Sequence, residues 1–413
     1  MIESSTQSHR RTFAEVNLHY LVANFQKIRA LLPEGSFICP MVKANAYGHG
    51  DIEVSRVLRI AGAVQLGVGL IEEGQHLRTA GDTGDLLLMG TFDAESAPAV
   101  LEHKLIPVLS DWSQLEALHF ARALLLAKSP HEPLPSTRVH ITFNTGMNRL
   151  GFDIDQAPRL ADFLRTHLDF KLEGVATHLL RGDDAGIPGG ESESQLAAFA
   201  EAVSHLQEFH PVLHALNSSA TLSLWRRVVE NSPLGRGGRW PLGSRPGLAI
   251  YGVKPSTEEN VSTFLQPVIS LKSSLVRVHR VPTGGRVSYG PTWRATRPST
   301  IGVVPMGYGD GYFRLQSNRA SVLCRGEKVK IAGNVCMDYF MIDLTDLEEK
   351  TGPVKAGEEV VLLGEQLNEA GIAQRITAQD LADLIGTIPY EILTNINERV
   401  PRIYLRVDKS EAG

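Results

Sequence analysis

Cysteine is scarce in this sequence, and long apolar runs are absent from it. The 413 residues include three cysteines, Cys39, Cys324 and Cys336. This odd number without metal-ligand spacing fits a reducing compartment best. No apolar stretch approaches the roughly 20 residues that a membrane-spanning helix needs. The first residues, MIESSTQSHRR, are polar and contain no apolar core, so we expect no signal peptide. These absences predict a cytoplasmic protein that does not enter a membrane.

An excess of positive charge is also missing. The chain carries 41 Lys and Arg residues against 46 Asp and Glu residues, which gives a formal net charge of -5 at pH 7. This balance lacks the basic footprint that binds nucleic acid or anionic lipid, so we expect neither as a partner. With 43% hydrophobic and 21% charged residues, the composition is that of ordinary globular proteins. The length suffices for one large barrel and a smaller domain.

Strand and helix patterns alternate through the first part of the chain. Apolar residues recur at helical spacing between residues 18 and 32, with Asn17 as the expected N-cap. Short apolar runs follow, most of them separated by helix-like segments: ICPMVKA, VQLGVG, DLLLMG, LIPVLS, RVHITFN, LEGVATHL, LHALNSS and PGLAIYG. This alternation predicts an α/β fold, with a cofactor-binding (β/α)8 TIM-type barrel in residues 1–260.

The pattern changes in the remaining residues, 261–413. Runs such as STIGVVPMGYG, YFMIDL and EVVLLGE follow one another with Gly-rich turns and without intervening helices. Long strands in such a succession predict a mainly antiparallel β domain. A short helix, TAQDLADLIG, and a final strand pair complete the predicted domain.

The expected carboxyl ends of the barrel strands, where barrel enzymes have their active sites, carry polar side chains. They are Lys43, Arg149, His178, and Asn217 with Ser218, and Arg245 stands at the start of the eighth strand region. No cluster of carboxylates or of His and Cys lies among them, so we expect no metal. A lysine with a lowered pKa forms Schiff bases with carbonyls. The commonest cofactor of that kind is pyridoxal phosphate, for which the loops NSSA and RPGL offer a phosphate site.

The motif MVKANAYGHG around Lys43 resembles the cofactor-lysine motif of alanine racemases almost letter for letter. The likeness continues through NTGMNRLGF, GVATHL, LHALNSSATL, SRPGLAIYGV, RVSYGPTW, PMGYGDGY, NVCMDYFMIDL and IPYEILTNINERVPR, and so covers most of the chain. That family combines a barrel with a following β domain. The resemblance implies an enzyme that interconverts L-alanine and D-alanine with pyridoxal 5'-phosphate and supplies D-alanine for peptidoglycan. It also implies a homodimer with shared active sites.

The resemblance further implies roles for individual residues. Lys43 would bind the cofactor and act as one catalytic base, and Tyr289 would be the opposite base. His178 would lie against the cofactor ring and support Tyr289 by hydrogen bonding. Arg245 would face the pyridine nitrogen. Because a guanidinium only donates hydrogen bonds, that nitrogen would stay unprotonated, which disfavours side reactions such as transamination.

Further residues would hold the two ends of the bound molecules, again as the resemblance implies. Arg149 and the backbone of Met337 would receive the substrate carboxylate, and Tyr308 would line the entrance. The residues expected to bind the cofactor around its phosphate are Tyr47, Asn217, Ser218, Gly247, Leu248 and Tyr390.

The sequence departs from the family pattern in two places. The family usually has a lysine, commonly carbamylated, at Thr142 and an aspartate at Asn144. Thr142 cannot carry a carbamate, so we expect a small anion such as chloride, or a carboxylate from elsewhere in the chain, to orient Arg149. Leu180 and Arg181 stand near the entrance, where small residues are usual.

Three other functions remain open at this point. A broad-specificity or serine racemase would use the same mechanism, and such relatives also lack the carbamylated lysine. Those enzymes are typically exported, which favours the alanine racemase here. A non-catalytic carrier of pyridoxal phosphate would need neither Tyr289 nor the second domain. A barrel decarboxylase does not suit the motif VSYGP or the surroundings of Arg245.

Overall fold

The computed structural model describes residues 9–128, 134–182, 189–223, 242–254 and 265–405. These residues form two compact units. The parallel unit comprises the described residues within 21–46 and 51–266, and the antiparallel unit comprises those within 9–20, 47–50 and 267–405. The predicted boundary between residues 260 and 261 lies outside the described residues.

Strand β1 (Phe13–Asn17) and helix α1 (Leu18–Leu31) open the described chain. Asn17 accepts a hydrogen bond from the backbone N–H of Tyr20 at 3.1 Å, so the expected N-cap of α1 is confirmed. The apolar stripe of α1 is fully buried at Leu21, Phe25 and Ile28. Burial of this stripe, rather than helix propensity, accounts for most of the stability of such a helix.

A parallel sheet of seven strands in chain order forms the centre of the parallel unit. Its strands are β2 (Gln65–Val68), β3 (Asp85–Leu88), β4 (Ile106–Leu109), β5 (Thr137–Thr142), β6 (Phe170–Ala176), β7 (Val212–Leu216) and β8 (Leu242–Ser244). The helices of this unit after α1 are α2 (Asp51–Ile60), α3 (Ile71–Thr79), α4 (Ala97–Glu102), α5 (Trp112–Lys128), α6 (Ala157–Thr166), α7 (Glu191–Ser204) and α8 (Ser218–Ser223). The predicted alternation of strands and helices is thereby confirmed as a curled parallel sheet.

The run ICPMV, expected as the first strand, makes backbone hydrogen bonds in both directions. On one side the N–H of Cys39 donates to the carbonyl of Ser244 at 2.9 Å. On the other, the N–H of Val42 donates to Gly67 at 2.8 Å, and the N–H of Gly67 donates to Pro40 at 2.9 Å. Pro40 has no N–H to donate, so the pairing stays limited to isolated bridges instead of a continuous ladder.

The prediction that PGLAIYG forms the eighth strand is wrong. Leu248–Tyr251 form a 3-10 turn, and the eighth strand is the shorter β8, which precedes them. All four residues of the turn are buried, and a short buried apolar run looks the same in a strand and in a helical turn. Arg245 therefore follows the carboxyl end of β8 instead of preceding a strand. The carboxyl ends of the strands are where barrel enzymes have their active sites.

The antiparallel unit contains the remaining elements. Its strands after β1 are β9 (Ile269–Ser274), β10 (Arg277–Val281), β11 (Arg286–Val287), β12 (Trp293–Arg294), β13 (Ser299–Val304), β14 (Ser321–Cys324), β15 (Glu327–Lys330), β16 (Phe340–Asp343), β17 (Glu359–Leu367), β18 (Ala373–Ile376) and β19 (Arg402–Leu405). Its helices are α9 (Thr345–Thr351), α10 (Ala378–Ile385) and α11 (Pro389–Thr394).

The largest sheet of the antiparallel unit has the order β15-β14-β17-β9-β1-β19, with β18 paired to β17. Its strands pair antiparallel except β1 with β19, which are parallel. Strands β10, β13 and β16 form a second sheet, and β11 pairs with β12. The predicted mainly antiparallel character of this part of the chain is confirmed.

Among the described helices, none combines the length and the apolar character that crossing a bilayer would require.

Candidate active site

Lys43 begins a helical turn of unusual hand. The turn Lys43–Tyr47 has φ near +52° at Ala44, Asn45 and Ala46, which is left-handed backbone. For residues other than glycine this conformation costs roughly 1–2 kcal/mol each. The turn is anchored by the N–H of Ala46, which donates to Val42 at 2.8 Å, and by Asn45, whose side chain accepts from the N–H of Asp51 at 2.9 Å. The position of Lys43 therefore depends on a left-handed backbone conformation, which hydrogen bonds to neighbouring residues must stabilise.

The amine of Lys43 gives up its proton more readily than an ordinary lysine. Its pKa is lowered first by the loss of water around it and then by the positive charge of Arg149, with a smaller contribution from Arg245. The charge of Glu73 acts in the opposite direction. Lys43 as a whole residue is nevertheless exposed. An amine with a lowered pKa is suited to act as a nucleophile or a base.

Arg245 lies buried at the end of β8 in a network of hydrogen bonds. One terminal nitrogen donates to the ring Nδ1 and the carbonyl of His214, both at 2.6 Å, and the other donates to the carbonyl of Thr177 at 2.7 Å. His214 in turn bonds His140, with 2.8 Å between its Nε2 and the Nδ1 of His140. Since a guanidinium can only donate, Nδ1 of His214 is an acceptor and its Nε2–H donates to His140.

Neutral imidazoles surround this guanidinium. Burial first, and then the charges of Arg245, Arg149 and Lys43, lower the pKa of His178 to about 3. Burial also lowers the pKa of Arg245 to about 10, so that the group stays protonated near neutral pH. Nδ1 of His178 lies 3.3 Å from the second terminal nitrogen of Arg245. The site therefore presents a fixed positive charge beside a neutral ring.

Ser218 and the turn after Arg245 form a small polar cradle. The hydroxyl oxygen of Ser218 accepts hydrogen bonds from the N–H groups of Gly247 at 2.9 Å and Ala249 at 3.3 Å, which leaves its own hydrogen for another acceptor. Asn217 caps α8 through the N–H of Ala220 and donates to the carbonyl of Leu179. The N–H of Leu248 begins the 3-10 turn and is not used within it, so together with the hydroxyl of Ser218 it suits an anion.

A cavity brings several of the predicted residues together. Its lining includes Thr142, Asn144, Arg149, His178 and Arg245, with apolar side chains such as Met89 and Val108 beside them. Within the described part of the chain Arg149 has no hydrogen bond or ion pair, so the expected carboxylate partner is not found in the parallel unit. Asn144 bonds instead within its own loop, to Gly146 and Asn148. The cavity thus presents two guanidinium groups to a ligand.

The antiparallel unit brings the other predicted residues together. The N–H of Tyr308 donates to the carbonyl of Cys336 at 3.0 Å, next to Met337. Asn334, two residues before Cys336, donates to the carbonyl of Tyr289 at 2.8 Å. Tyr289, Met337 and Tyr308 are 78%, 53% and 44% exposed, respectively. These three residues therefore form an exposed cluster on one unit.

Tyr47 and Tyr390 also belong to the antiparallel unit and lie side by side. Their ring centroids are 6.0 Å apart, with a tilt of 50° between the rings. Tyr47 is buried and Tyr390 is half-buried, and burial raises the pKa of Tyr390. The hydroxyl of Tyr390 therefore remains protonated near neutral pH and can donate a hydrogen bond.

Some residues of the site escaped the sequence analysis. His140 and His214 lie on buried strands, and a polar residue inside an apolar run such as RVHIT or LHAL was the signal that could have revealed them. Glu73 has the weaker signal of an acidic residue at the third position of a helix. Gln195 on α7 bonds Thr145 and the carbonyl of His178, and nothing in the sequence pattern sets it apart.

These features define a candidate site on a parallel α/β scaffold, with an amine of lowered pKa and two guanidinium groups. Residues 16–255 match the family model of the alanine racemase N-terminal domain, and residues 268–404 match that of the C-terminal domain. The alanine racemase of Carboxydothermus hydrogenoformans is 36% identical over 401 residues, which cover 96% of this chain and 100% of that protein. The alanine racemase of Sorangium cellulosum is 36% identical over 403 residues, which cover 96% and 99%. The chain belongs to the alanine racemase family.

Solved structures agree with this assignment. The alanine racemase of Bacillus anthracis with bound L-Ala-P superposes with a TM-score of 0.82 at 30% identity, covering 97% of this chain and 96% of that one. The alanine racemase of Bartonella henselae with covalently bound pyridoxal phosphate gives a TM-score of 0.78 at 27% identity, covering 96% and 99%.

Proposed function

We propose that this chain is an alanine racemase that interconverts L-alanine and D-alanine with pyridoxal 5'-phosphate. The observation that carries the proposal is the accessible Lys43 with its lowered pKa, whose charge interacts with Arg149 and Arg245 at the edge of the parallel sheet. Relatives named alanine racemase match almost the whole chain, which supports the same activity here. The product would supply D-alanine for peptidoglycan.

The residues present fit the cofactor. Lys43 offers an amine that reacts with its carbonyl, and the cradle of Ser218, Gly247 and Leu248 offers a site for its phosphate. Asn217 shapes this cradle by capping α8. We also assign Tyr47 and Tyr390 to phosphate binding. When bound, pyridoxal phosphate accepts the electrons left on the substrate's α-carbon.

The chain's own residues move the protons. Racemisation removes a proton from one face of the α-carbon and delivers one to the other face, so two bases on opposite sides suffice without turning the substrate. We assign Lys43 to one face and Tyr289 to the other, with His178 supporting Tyr289. Arg245, fixed by His214 and Thr177, would face the ring nitrogen and withhold a proton from it.

Substrate binding is assigned to the cationic cavity and to the exposed cluster. Arg149 would form a bidentate hydrogen bond with the substrate carboxylate, helped by the backbone of Met337. Tyr308 would line the entrance. Because Arg149 has no partner in the described part of one chain, we retain a small anion as the group that orients it.

We infer that the active form is a homodimer in which each site takes Tyr289 from the partner. A base that is 78% exposed, as Tyr289 is here, has neither a fixed orientation nor exclusion of water. A second copy covering Tyr289, Met337 and Tyr308 would provide both. A two-fold arrangement would use the same surface on each subunit.

Two further features of the proposal concern architecture and location. We infer that the segment 37–42 closes the parallel sheet into an eight-stranded barrel, supported by the bonds of Cys39 to Ser244 and of Val42 to Gly67. The division into domains 1–260 and 261–413 remains a prediction. A cytoplasmic location is supported by the three cysteines, none of which forms a disulfide.

A racemisation assay on a panel of single L-amino acids tests the proposal. We expect loss of optical rotation with L-alanine and a much slower change with L-serine and larger substrates. Comparable rates on several amino acids would favour the broad-specificity alternative, in which the residue at position 142 likewise carries no carbamate. A protein that binds the cofactor and racemises no amino acid would contradict the proposal and favour a carrier.

A further inference from the structure

The left-handed turn at Lys43 needs a stabilising contact beyond its own backbone. Ala44, Asn45 and Ala46 have φ values of 51°, 53° and 52°. At roughly 1–2 kcal/mol each, three such residues would favour relaxation of the turn. Relaxation would move Lys43, because the residue starts the turn. A group outside the turn must therefore hold it in place.

The carboxylate of Glu73 makes that contact. Its Oε1 accepts a hydrogen bond from the N–H of Ala44 at 2.7 Å, and Ala44 directly follows Lys43. Its Oε2 accepts from the N–H of Gly69 at 2.6 Å and from that of Leu70 at 3.2 Å. One carboxylate therefore joins the lysine turn to the segment that leads from β2 into α3. Hydrogen bonds to an ionised acceptor are about twice as strong as neutral ones.

Gly69 shows how closely the two segments approach. A Cβ atom built at Gly69 would lie 3.5 Å from both Cβ and Cδ of Lys43 and 3.4 Å from Oε2 of Glu73. The aliphatic stem of Lys43 thus passes over the backbone that Glu73 binds. Glu73 fixes both the backbone that carries the lysine and the backbone over which its side chain lies.

A purely local role would not need this geometry. Glu73 is the third residue of α3, and an acidic side chain there often accepts from the N-cap backbone, as Oε2 does from Leu70. That function occupies one oxygen. The other oxygen reaches Ala44, 29 residues earlier in the chain. The neighbouring Glu72 is exposed and has no such contact, which makes it a matched control.

Charge adds a second effect. Arg149 and Arg245 both lower the pKa of Lys43, whereas Glu73 raises it. Among the described charged groups that shift the pKa of Lys43, Glu73 is the negative one. The side chain that holds the turn therefore also offsets part of the lowering of the pKa of Lys43.

We propose that Glu73 is a positioning residue for Lys43, holding the left-handed turn in place and keeping a negative charge beside the amine. The proposal rests on the proposed function only for the statement that Lys43 is the reactive lysine. The hydrogen bonds of Glu73 to Ala44, Gly69 and Leu70 are a property of the folded chain, and their effect can be measured without any turnover.

The first test is hydrogen exchange of the full-length chain, with and without pyridoxal phosphate. Glu73→Gln leaves one acceptor oxygen and turns an NH2 group towards backbone donors. We expect the amides of residues 44–47 to exchange about tenfold faster than in the parent. Glu72→Gln should leave them unchanged. Faster exchange confined to residues 70–74 would mean that Glu73 only caps α3, and would overturn the proposal.

The second test is the pH dependence of Lys43 acetylation in the cofactor-free full-length chain, located by peptide mapping. Glu73→Gln should lower the pKa of Lys43, and Glu73→Asp, which keeps the charge on a shorter stem, should largely restore it. The exchange at residues 44–47 should stay fast in Glu73→Asp. An unchanged pKa of Lys43 in Glu73→Gln would overturn the electrostatic half of the proposal. Because neither readout uses racemisation, a failure of the proposed activity would be seen separately.

Discussion

The buried pair His140 and His214 should make the protein less stable as the solution becomes acidic. Burial, aided by the charges of Arg138 and Arg245, lowers the pKa of His140 from 6.5 to about 3. Burial, aided by Arg245, lowers the pKa of His214 well below 6.5. In the unfolded chain both regain ordinary values near 6.5. The unfolded state then binds protons that the native state does not, so stability is retained above about pH 6.5 and falls as the pH decreases from there towards 3.

The size of the effect follows from the unfolded pKa. Each pH unit below about 6.5 favours unfolding by about 1.4 kcal/mol per histidine that stays neutral in the native state. At about pH 5 this is about 2 kcal/mol for His140, and His214 adds to the loss in the same direction. Domains are typically stable by only about 5–15 kcal/mol, so the loss is a large share of the total. The interval lies above the range in which most carboxylates titrate, which isolates the histidines.

Urea unfolding at about pH 7.5 and about pH 5, followed by far-UV circular dichroism, measures this difference. His140→Gln should lower the stability at the higher pH, because His214 loses a buried hydrogen-bond partner. It should also shrink the difference between the two pH values by about 2 kcal/mol. The control His205→Gln removes an exposed ring and should leave the difference unchanged. A His140→Gln protein that keeps the full difference in stability between the two pH values would show that His140 does not cause the loss of stability.

Three other predictions concern the site. Borohydride reduction of the cofactor-loaded protein should fix the pyridoxyl group on Lys43, and peptide mapping that found it on another lysine would contradict the site assignment. Mixing Lys43→Ala with Tyr289→Phe chains should restore part of the activity, because a mixed dimer has one site with both bases intact; demonstrated subunit exchange without recovery would exclude shared sites. Activity should rise with chloride at fixed ionic strength and not with bicarbonate, and Thr142→Lys with Asn144→Asp should transfer the dependence to bicarbonate; a parent enzyme indifferent to chloride would exclude chloride at Arg149.

Much of the fold could be predicted from the sequence, because apolar periodicity reports burial directly. The alternating runs gave the parallel strands β2 to β7 and the change to antiparallel strands. The eighth strand was misplaced because LAIY is buried in a turn as fully as it would be in a strand. The membership of β1 could not be predicted either. Its pairing with β9 and β19 depends on contacts more than 250 residues away, which no local pattern encodes.

The candidate site also contains residues that the sequence could predict and features that it could not. Lys43 could be predicted because it follows an apolar run at the edge where barrel chemistry is found. Arg245 was expected before the eighth strand, whereas the structure places it directly after β8. The left-handed turn at Ala44 could not, because alanine has no preference for positive φ and the conformation depends on Glu73. The tautomer of His214 likewise follows only from its hydrogen bond to Arg245.

The central claim is that two bases act on opposite faces of the substrate, Lys43 on one and Tyr289 on the other. Single-turnover exchange of the α-proton in deuterium oxide, followed separately for L-alanine and D-alanine, tests it most directly. By analogy with the family, we expect Tyr289 to take the proton of the L isomer. Tyr289→Ala should therefore slow exchange from L-alanine by roughly 10²–10⁴-fold and affect exchange from D-alanine much less. Equal losses for the two isomers would contradict the assignment and leave Tyr289 a structural residue.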